Sequence, residues 1–73
     1  MSKSLLESMR DSATGKICEV IFNLNYLETS FTYPTEREVV IDAVTDSIRS
    51  ISGLRNILSN YLSELNNHPE DQE

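Results

Sequence analysis

Few side chains in this 73-residue sequence could carry chemistry, and they are poorly placed for it. The single histidine, His68, precedes Pro69 near the C-terminus, where no second titratable group is positioned to make it a general base. Cys18 has apolar neighbours and no histidine close in sequence, so we expect a small buried apolar side chain rather than a nucleophile. Asp42 and Asp46 lie one turn apart on a polar helical face, as solvated carboxylates usually do. We therefore predict no enzyme activity, no catalytic residue, no cofactor and no metal site.

The composition predicts one small domain that needs a second chain for stability. A chain of this length buries only about 60% of the surface that it exposes when unfolded, and with one cysteine it has no intrachain disulfide. The net charge is -6, from 12 acidic and 6 basic residues, which argues against a phosphate-binding surface. No segment is apolar enough for a signal peptide or a membrane span, and a lone cysteine suits a reducing compartment. We expect a cytoplasmic protein that contacts no membrane and is not built to bind nucleic acid.

Apolar residues at helical spacing predict a first helix over residues 4–28. Ser4 and Glu7 have the spacing of a capping box, which marks a helix N-terminus. The apolar positions that follow are three or four residues apart and fall on one face: Leu6, Met9, Ala13, Ile17, Val20, Ile21, Leu24 and Leu27.

Residues 29–34 are predicted to form a loop, because Thr29, Ser30 and Thr32 favour local side-chain hydrogen bonds and Pro34 disfavours helix at the residue before it. Thr35 and Glu38 have the spacing of a second capping box, which predicts a second helix over residues 35–66. Gly53 falls on the polar side of that helix, so we expect one long helix, with a break near Gly53 as the alternative. Residues 68–73 are predicted to be a disordered acidic tail that follows a single domain over residues 1–67.

The fold class predicted is all-α: an antiparallel two-helix hairpin that pairs into a dimeric four-helix bundle. A turn near Phe31 gives a register in which every facing pair is apolar, namely Leu24 with Val40, Val20 with Val44, Ala13 with Ile51, and Leu6 with Leu58. The residues expected to form the core and the dimer contact are Val40, Val44, Ile48, Ile51, Leu54, Leu58, Leu62 and Leu65.

Two surplus apolar surfaces indicate that the hairpin has a partner. The apolar arc of the second helix covers about 200°, whereas one packed neighbour needs little more than 100°. The first helix carries another stripe, at Cys18, Phe22 and Tyr26, away from its main apolar face. In the favoured interpretation both surplus surfaces close a homodimer. In the other, this stripe forms a site for a different protein together with Phe31 and Tyr33 from the loop. Both hold if one surplus surface serves each contact.

These patterns predict a small non-enzymatic protein–protein interaction module, an adaptor, regulator or inhibitor, that acts as a helical homodimer. One alternative is a dimeric helical-hairpin regulator that binds nucleic acid, for which Arg10 and Arg55 are predicted neighbours across the hairpin. The other is a chaperone or assembly subunit that folds only with its partner. A nucleic-acid binder predicts retention on heparin with steep salt dependence, and an assembly subunit predicts low helicity in the isolated chain.

Overall fold

The computed structural model describes residues 4–67, which form two long helices, α1 (Leu5–Thr32) and α2 (Arg37–Asn67). The helices pack against each other along their length, and this part of the chain measures 52 × 22 × 15 Å. The all-α helical hairpin predicted from the sequence is therefore confirmed. His68 and the tail predicted over residues 68–73 lie outside the described residues.

Helix α1 begins at the predicted capping box. The backbone N–H of Glu7 donates to the Ser4 hydroxyl at 3.1 Å, and the backbone N–H of Ser4 donates to the Glu7 carboxylate at 3.2 Å. Two N–H groups that have no partner within the helix are satisfied in this way, and the negative charge of Glu7 lies in the first turn, where the helix dipole favours it.

The first helix runs four residues further than the sequence indicated, through the segment predicted to be a loop. The hydroxyl groups expected to favour a loop donate instead to carbonyls of the preceding turn: Thr29 to Asn25 at 3.0 Å and Thr32 to Glu28 at 2.9 Å. Such bonds leave the helical backbone intact. The helix ends where Tyr33 takes an extended conformation before Pro34, so the proline sets the boundary and the hydroxyl residues do not.

The predicted capping box of the second helix is not formed. Helix α2 begins at Arg37, and the carbonyl of Glu36 accepts the first helical hydrogen bonds, from the N–H groups of Val39 and Val40 at 3.0 and 3.2 Å. The hydroxyl of Thr35 donates to the carbonyl of Tyr33 at 2.8 Å and so acts within the connection. The connection between the helices is thereby shortened to residues 33–36.

Helix α2 is continuous through Gly53, so the alternative of a break at this residue is not observed. Gly53, predicted to lie on the polar side of α2, is half-buried beside α1: a Cβ atom added at Gly53 would be 3.3 Å from Cε of Lys16. The absence of a side chain at Gly53 therefore makes room for the Lys16 stem.

Within residues 4–67, neither helix has a stretch that is both long enough and apolar enough to cross a membrane.

Candidate functional site

The register of the hairpin follows from contacts between the helices at two levels. Lys16 lies beside Gly53, and a shallow pocket is lined by Met9 and Ser12 from α1 together with Ile57 from α2. The predicted register placed Leu6, Ala13 and Val20 opposite residues about five or six positions earlier in α2. It is wrong because α1 continues to Thr32 and the turn comes later in the chain.

A polar cluster lies between the helices near the middle of the hairpin. The side-chain amide of Asn23 donates a hydrogen bond to the hydroxyl of Ser50, which in turn donates to the Glu19 carboxylate at 2.8 Å. Lys16 Nζ lies 3.1 Å from the same carboxylate, and Ser47 donates to the backbone carbonyl of Asn23 at 3.4 Å. The bond from Ser50, reinforced by Lys16, holds the pKa of Glu19 below its ordinary value.

The surface along which α1 and α2 pack against each other is called the seam. Each helix contributes one stripe of residues to it. Steps of three and four residues alternate along both stripes, as in an antiparallel coiled coil. The buried residues of α2 in the seam are the small residues Ala43, Ser47 and Ser50. The seam residues of α1 are Leu6, Met9, Ala13, Lys16, Val20, Asn23, Leu27 and Ser30, and those of α2 are Val40, Ala43, Ser47, Ser50, Leu54, Ile57, Tyr61 and Glu64.

Most of the large apolar residues of α2 form a second stripe, each one position after a seam residue. Because one residue turns a helix by 100°, this stripe points to the side of the hairpin and not into the seam. Ile48 is 59% exposed and Leu62 is 58% exposed. The stripe comprises Ile41, Val44, Ile48, Ile51, Leu58, Leu62 and Leu65, with Arg55 as its one interruption.

Helix α1 has a shorter stripe of the same kind, formed by Ile17, Ile21 and Leu24, all of them exposed. These residues also lie one position after seam residues. The two helices run in opposite directions and face each other, so the same rotation on both brings the two stripes to the same side of the hairpin. We call the α2 stripe and these three residues together the apolar face.

An open groove of about 370 Å³ follows the apolar face on the part of α2 that lies beyond the α1 stripe. Its lining is mostly apolar and includes two polar side chains, those of Arg55 and Ser59. The residues lining it are Ile51, Leu54, Arg55, Leu58, Ser59 and Leu62.

The eight residues predicted to form the core and the dimer contact are divided between these two surfaces. Val40 and Leu54 lie in the seam, where both are half-buried. The other six lie on the apolar face, where Ile48, Ile51, Leu58 and Leu62 are exposed and Val44 and Leu65 are half-buried. The hairpin is closed instead by the small-residue side of α2, which allows the two backbones to approach closely.

The residues predicted to bind a different protein are all exposed. Phe22 is 72% exposed and Tyr26 is 52% exposed, and with Cys18 they follow the side of α1 turned away from the apolar face. Phe31 lies in the last turn of α1 and Tyr33 in the connection, at the loop end of the molecule. The expectation that Cys18 is buried is wrong, because its position is nearly opposite the seam.

The titratable groups of the described residues form no centre with metal-ligand geometry: residues 4–67 contain no cluster of three histidine, cysteine or acidic side chains that could hold an ion. Two of the basic residues lie near acidic groups on their own helix, Lys16 beside Glu19 and Arg49 at 3.9 Å from Asp46. Arg10 and Arg55 lie on the same side of the hairpin, since Arg10 follows the seam residue Met9 and Arg55 follows the seam residue Leu54.

Two groups of residues were not singled out from the sequence. Ile17, Ile21 and Leu24 were predicted to share one face of α1 with the seam residues, with Leu24 opposite Val40, and they are instead exposed on the apolar face. The polar cluster around Ser50 was not predicted at all. The run of small residues at steps of three and four, Ala43, Ser47 and Ser50, is the signal that could have located the seam.

Comparison of the chain with known protein families, with curated proteins and with solved structures gives no significant match.

Proposed function

We propose that this protein is an interaction module that acts by contact rather than by catalysis, as a helical homodimer. The apolar faces of two copies pack together and complete a four-helix bundle. The observation that carries the proposal is the apolar face itself, which runs from Ile41 to Leu65 along one side of the hairpin. In the single chain it leaves five large apolar residues of α2 exposed to solvent: Ile41, Ile48, Ile51, Leu58 and Leu62.

The small hydrophobic core of the hairpin supports the proposal that a second chain covers the apolar face. The hydrophobic residues that the single chain buries are small in number and mostly small in size: Leu6, Ala13, Val20 and Ala43. Among residues 4–67, no side chain falls below 2% exposure. A helical hairpin of this length needs a larger buried apolar surface to offset the conformational entropy lost on folding.

The arrangement of the two stripes on α2 also supports a four-helix bundle. A helix in such a bundle contacts two neighbours, and it therefore needs two apolar or small-residue stripes roughly a quarter turn apart. The seam residues of α2 supply one stripe, and residues such as Ile48 and Ile51 supply the other, 100° further round. The 200° arc in the sequence is accounted for by two neighbours, one from the same chain and one from the partner.

The side of the hairpin that carries the apolar face is large enough for a stable dimer contact. Between Ile41 and Leu65 the helix rises about 36 Å, at 1.5 Å per residue. The described part of the hairpin is 22 Å across. These dimensions give the whole side of the hairpin that carries the apolar face an area of about 800 Å², which is the size of a standard specific interface.

Light scattering on a sizing column, over a range of protein concentrations, tests this proposal. We expect a mass of twice 8.3 kDa that persists on dilution. Ile48→Glu places a charge on the apolar face and should give a monomer, whereas the matched variant Phe22→Glu changes an exposed residue elsewhere and should leave the dimer intact. Circular dichroism shows whether each variant keeps its helices. A wild-type mass of 8.3 kDa at every concentration would contradict the proposal.

Contact of the dimer with a different protein, through Cys18, Phe22, Tyr26, Phe31 and Tyr33, remains part of the proposal, as does a cytoplasmic location. Phe22→Ser or Tyr26→Ser should remove partners recovered with the wild-type protein and leave the dimer mass unchanged. The nucleic-acid alternative makes a different prediction, retention on heparin that is lost steeply with salt.

A further inference from the structure

We infer that the proposed dimer binds a small free oxyanion of the phosphate class at its centre, held between Arg55 of one copy and Arg55 of the partner subunit. This inference rests on the proposed function and goes beyond it, because it assigns a ligand to the contact between the copies. It starts from the one charged residue in the α2 stripe of the apolar face.

Arg55 lies almost at the middle of the apolar face. The α2 stripe of that face runs from Ile41 to Leu65, so its midpoint is at Gly53. Arg55 is two residues further along the helix, about 3 Å at 1.5 Å per residue. Its side chain lines the groove, where most of the neighbouring side chains are apolar. A positive charge therefore lies at the centre of the surface that the second copy is proposed to cover.

The symmetry of a homodimer brings a residue in this position close to its own copy. When two identical faces cover each other fully, the two-fold axis passes through the middle of the face, and a residue beside the axis meets itself. If the two copies are antiparallel, with α2 on α2, the two Arg55 residues lie about 6 Å apart along the helices, close to one helical turn.

The other packing, with both connections at one end, also gathers guanidinium groups at the centre. The two Arg55 residues are then at the same level of the bundle. The contact of Lys16 with Gly53 places Arg10 about one helical turn beyond that level on the same side of the hairpin, so Arg10 of each copy lies nearby. The site therefore depends on full overlap of the two faces and not on the direction in which they overlap.

The carboxylates of the hairpin are poorly placed to neutralise Arg55, whose side chain forms no ion pair within residues 4–67. Glu7 is about 10 Å away along the hairpin, and its carboxylate already accepts a backbone N–H in the capping box. Glu28 lies near the loop end. Asp11 is on the outer side of α1, two positions after the seam residue Met9. Because the second copy carries its acids at the same places, neither packing brings a carboxylate to the centre.

A bound oxyanion removes the cost of enclosing these charges. Two guanidinium groups covered by apolar surface repel each other and lose their hydration, and an arginine side chain cannot relieve this by giving up its proton. An oxyanion with two negative charges balances both groups. Its oxygens also match the planar fork of N–H donors that each guanidinium offers, which an ammonium group does not.

Urea unfolding in two salts of equal ionic strength tests the site. The wild type is unfolded in sodium chloride and in sodium phosphate at about pH 8, where a phosphate group carries two charges, and light scattering records the mass in each salt. At a phosphate concentration about ten times the dissociation constant of the site, phosphate should favour the folded dimer over unfolded chains by about tenfold, so the unfolding midpoint should rise. Equal midpoints in a sample whose mass is dimeric would overturn the inference and leave the dimer itself in place.

Two arginine-to-leucine variants separate a bound ion from the general effect of phosphate, which strengthens apolar burial in any protein. Arg55→Leu removes the guanidinium group from the apolar face. Its midpoint should be the same in both salts, and in chloride it should exceed that of the wild type because the repulsion is gone. Arg49→Leu, on the opposite side of the hairpin, is the matched control and should keep the wild-type difference between the salts. An equal rise in phosphate for both variants would contradict the site.

Calorimetric titration of the wild type with inorganic phosphate gives a second, independent test. We expect one phosphate for every two chains, because the site is shared, and one phosphate for each chain would contradict a shared site. Glycerol phosphate, a bulkier ester, should bind more weakly than the free ion, because the apolar faces enclose the site. Tighter binding of the ester would contradict a site at the centre of the contact. A mass of 8.3 kDa in both salts would instead contradict the proposed function, and the anion site with it.

Discussion

The side-chain amide of Asn23 donates a hydrogen bond to the hydroxyl of Ser50, and this bond ties the middle of α1 to the middle of α2. The hydroxyl of Ser50 donates in turn to the Glu19 carboxylate, and the hydroxyl of Ser47 donates to the backbone carbonyl of Asn23. These hydrogen-bonded polar groups lie at the centre of the seam. A shift of one helix along the other would separate them from their partners. The hairpin alignment is specified here by hydrogen bonds more than by apolar bulk.

Replacing Ser50 by alanine should destabilise the hairpin out of proportion to the size of the change. The variant removes an acceptor for Asn23 and a donor for Glu19, and we expect a loss of about 1–2 kcal/mol in the free energy of unfolding. Urea unfolding followed by circular dichroism, at one protein concentration, measures it. Ser52→Ala, on the exposed side of the same helix, is the control and should change stability by less than about 0.5 kcal/mol. Equal effects of the two variants would show that the cluster contributes nothing.

The hydrogen bond from Ser50 to Glu19 predicts a specific dependence on pH. Because the pKa of Glu19 is lowered on folding, its contribution to stability is fully present above the ordinary value of 4.5 and is lost as the pH falls through the lower, folded-state pKa. Wild type should therefore be more stable than Glu19→Gln at neutral pH, and the difference should shrink in acid. Thermal unfolding of both proteins between neutral pH and pH 3 measures this difference. A gap that widens in acid would contradict the assigned cause.

The two glycines provide a matched pair of stabilising substitutions. Gly15→Ala meets nothing within 4 Å, so it should gain about 1 kcal/mol from helix propensity. Gly53→Ala has the same propensity gain, but its Cβ would lie 3.3 Å from Cε of Lys16, and that side chain must move by a few tenths of an ångström. We expect a smaller gain at Gly53, measured as the midpoint of urea unfolding. A larger gain at Gly53 than at Gly15 would contradict the close contact with Lys16.

The two capping boxes indicated by the sequence should respond differently to alanine. Ser4→Ala removes the hydroxyl that caps α1 and should cost about 1 kcal/mol in the free energy of unfolding. Thr35→Ala removes a hydroxyl that donates to Tyr33 within the connection, and it should cost clearly less. Differential scanning calorimetry of both variants compares them. Equal losses would mean that Thr35 also caps a helix.

Much of the fold could be predicted from the sequence because its signals are local. The cap at Ser4 depends on residues three apart, and the helix over Gly53 depends on the apolar spacing on either side of it. The end of α1 was placed too early because Thr29 and Thr32 have two local options, a turn or a bond to the carbonyl one turn back. In the structure both hydroxyl groups bond to the carbonyl one turn back, so the helix continues through them. It ends only where Pro34 disfavours helical backbone at Tyr33.

The face that closes the hairpin could not be obtained from the apolar pattern. Helix α2 carries two adjacent stripes with the same spacing, and periodicity does not say which of them belongs to the neighbour in the same chain. The heavier stripe, with Ile48 and Ile51, was assigned to α1, whereas α1 takes the lighter one, with Ala43 and Ser47. Which stripe of α2 packs against α1 depends on how closely the two backbones approach. It also depends on hydrogen-bond partners that are distant in sequence, such as Asn23 for Ser47 and Ser50.

The connection of only four residues, 33–36, has a consequence for the order of events in folding. The two halves of the chain are held close from the start, and contacts near the connection are local in sequence, so the hairpin should close within microseconds to milliseconds. In the proposed dimer, the association of two chains is no faster than diffusion allows, and its rate rises with protein concentration. A refolding time course at several protein concentrations should therefore show two phases. The rate of the early phase should not depend on concentration, and the rate of the later phase should fall on dilution.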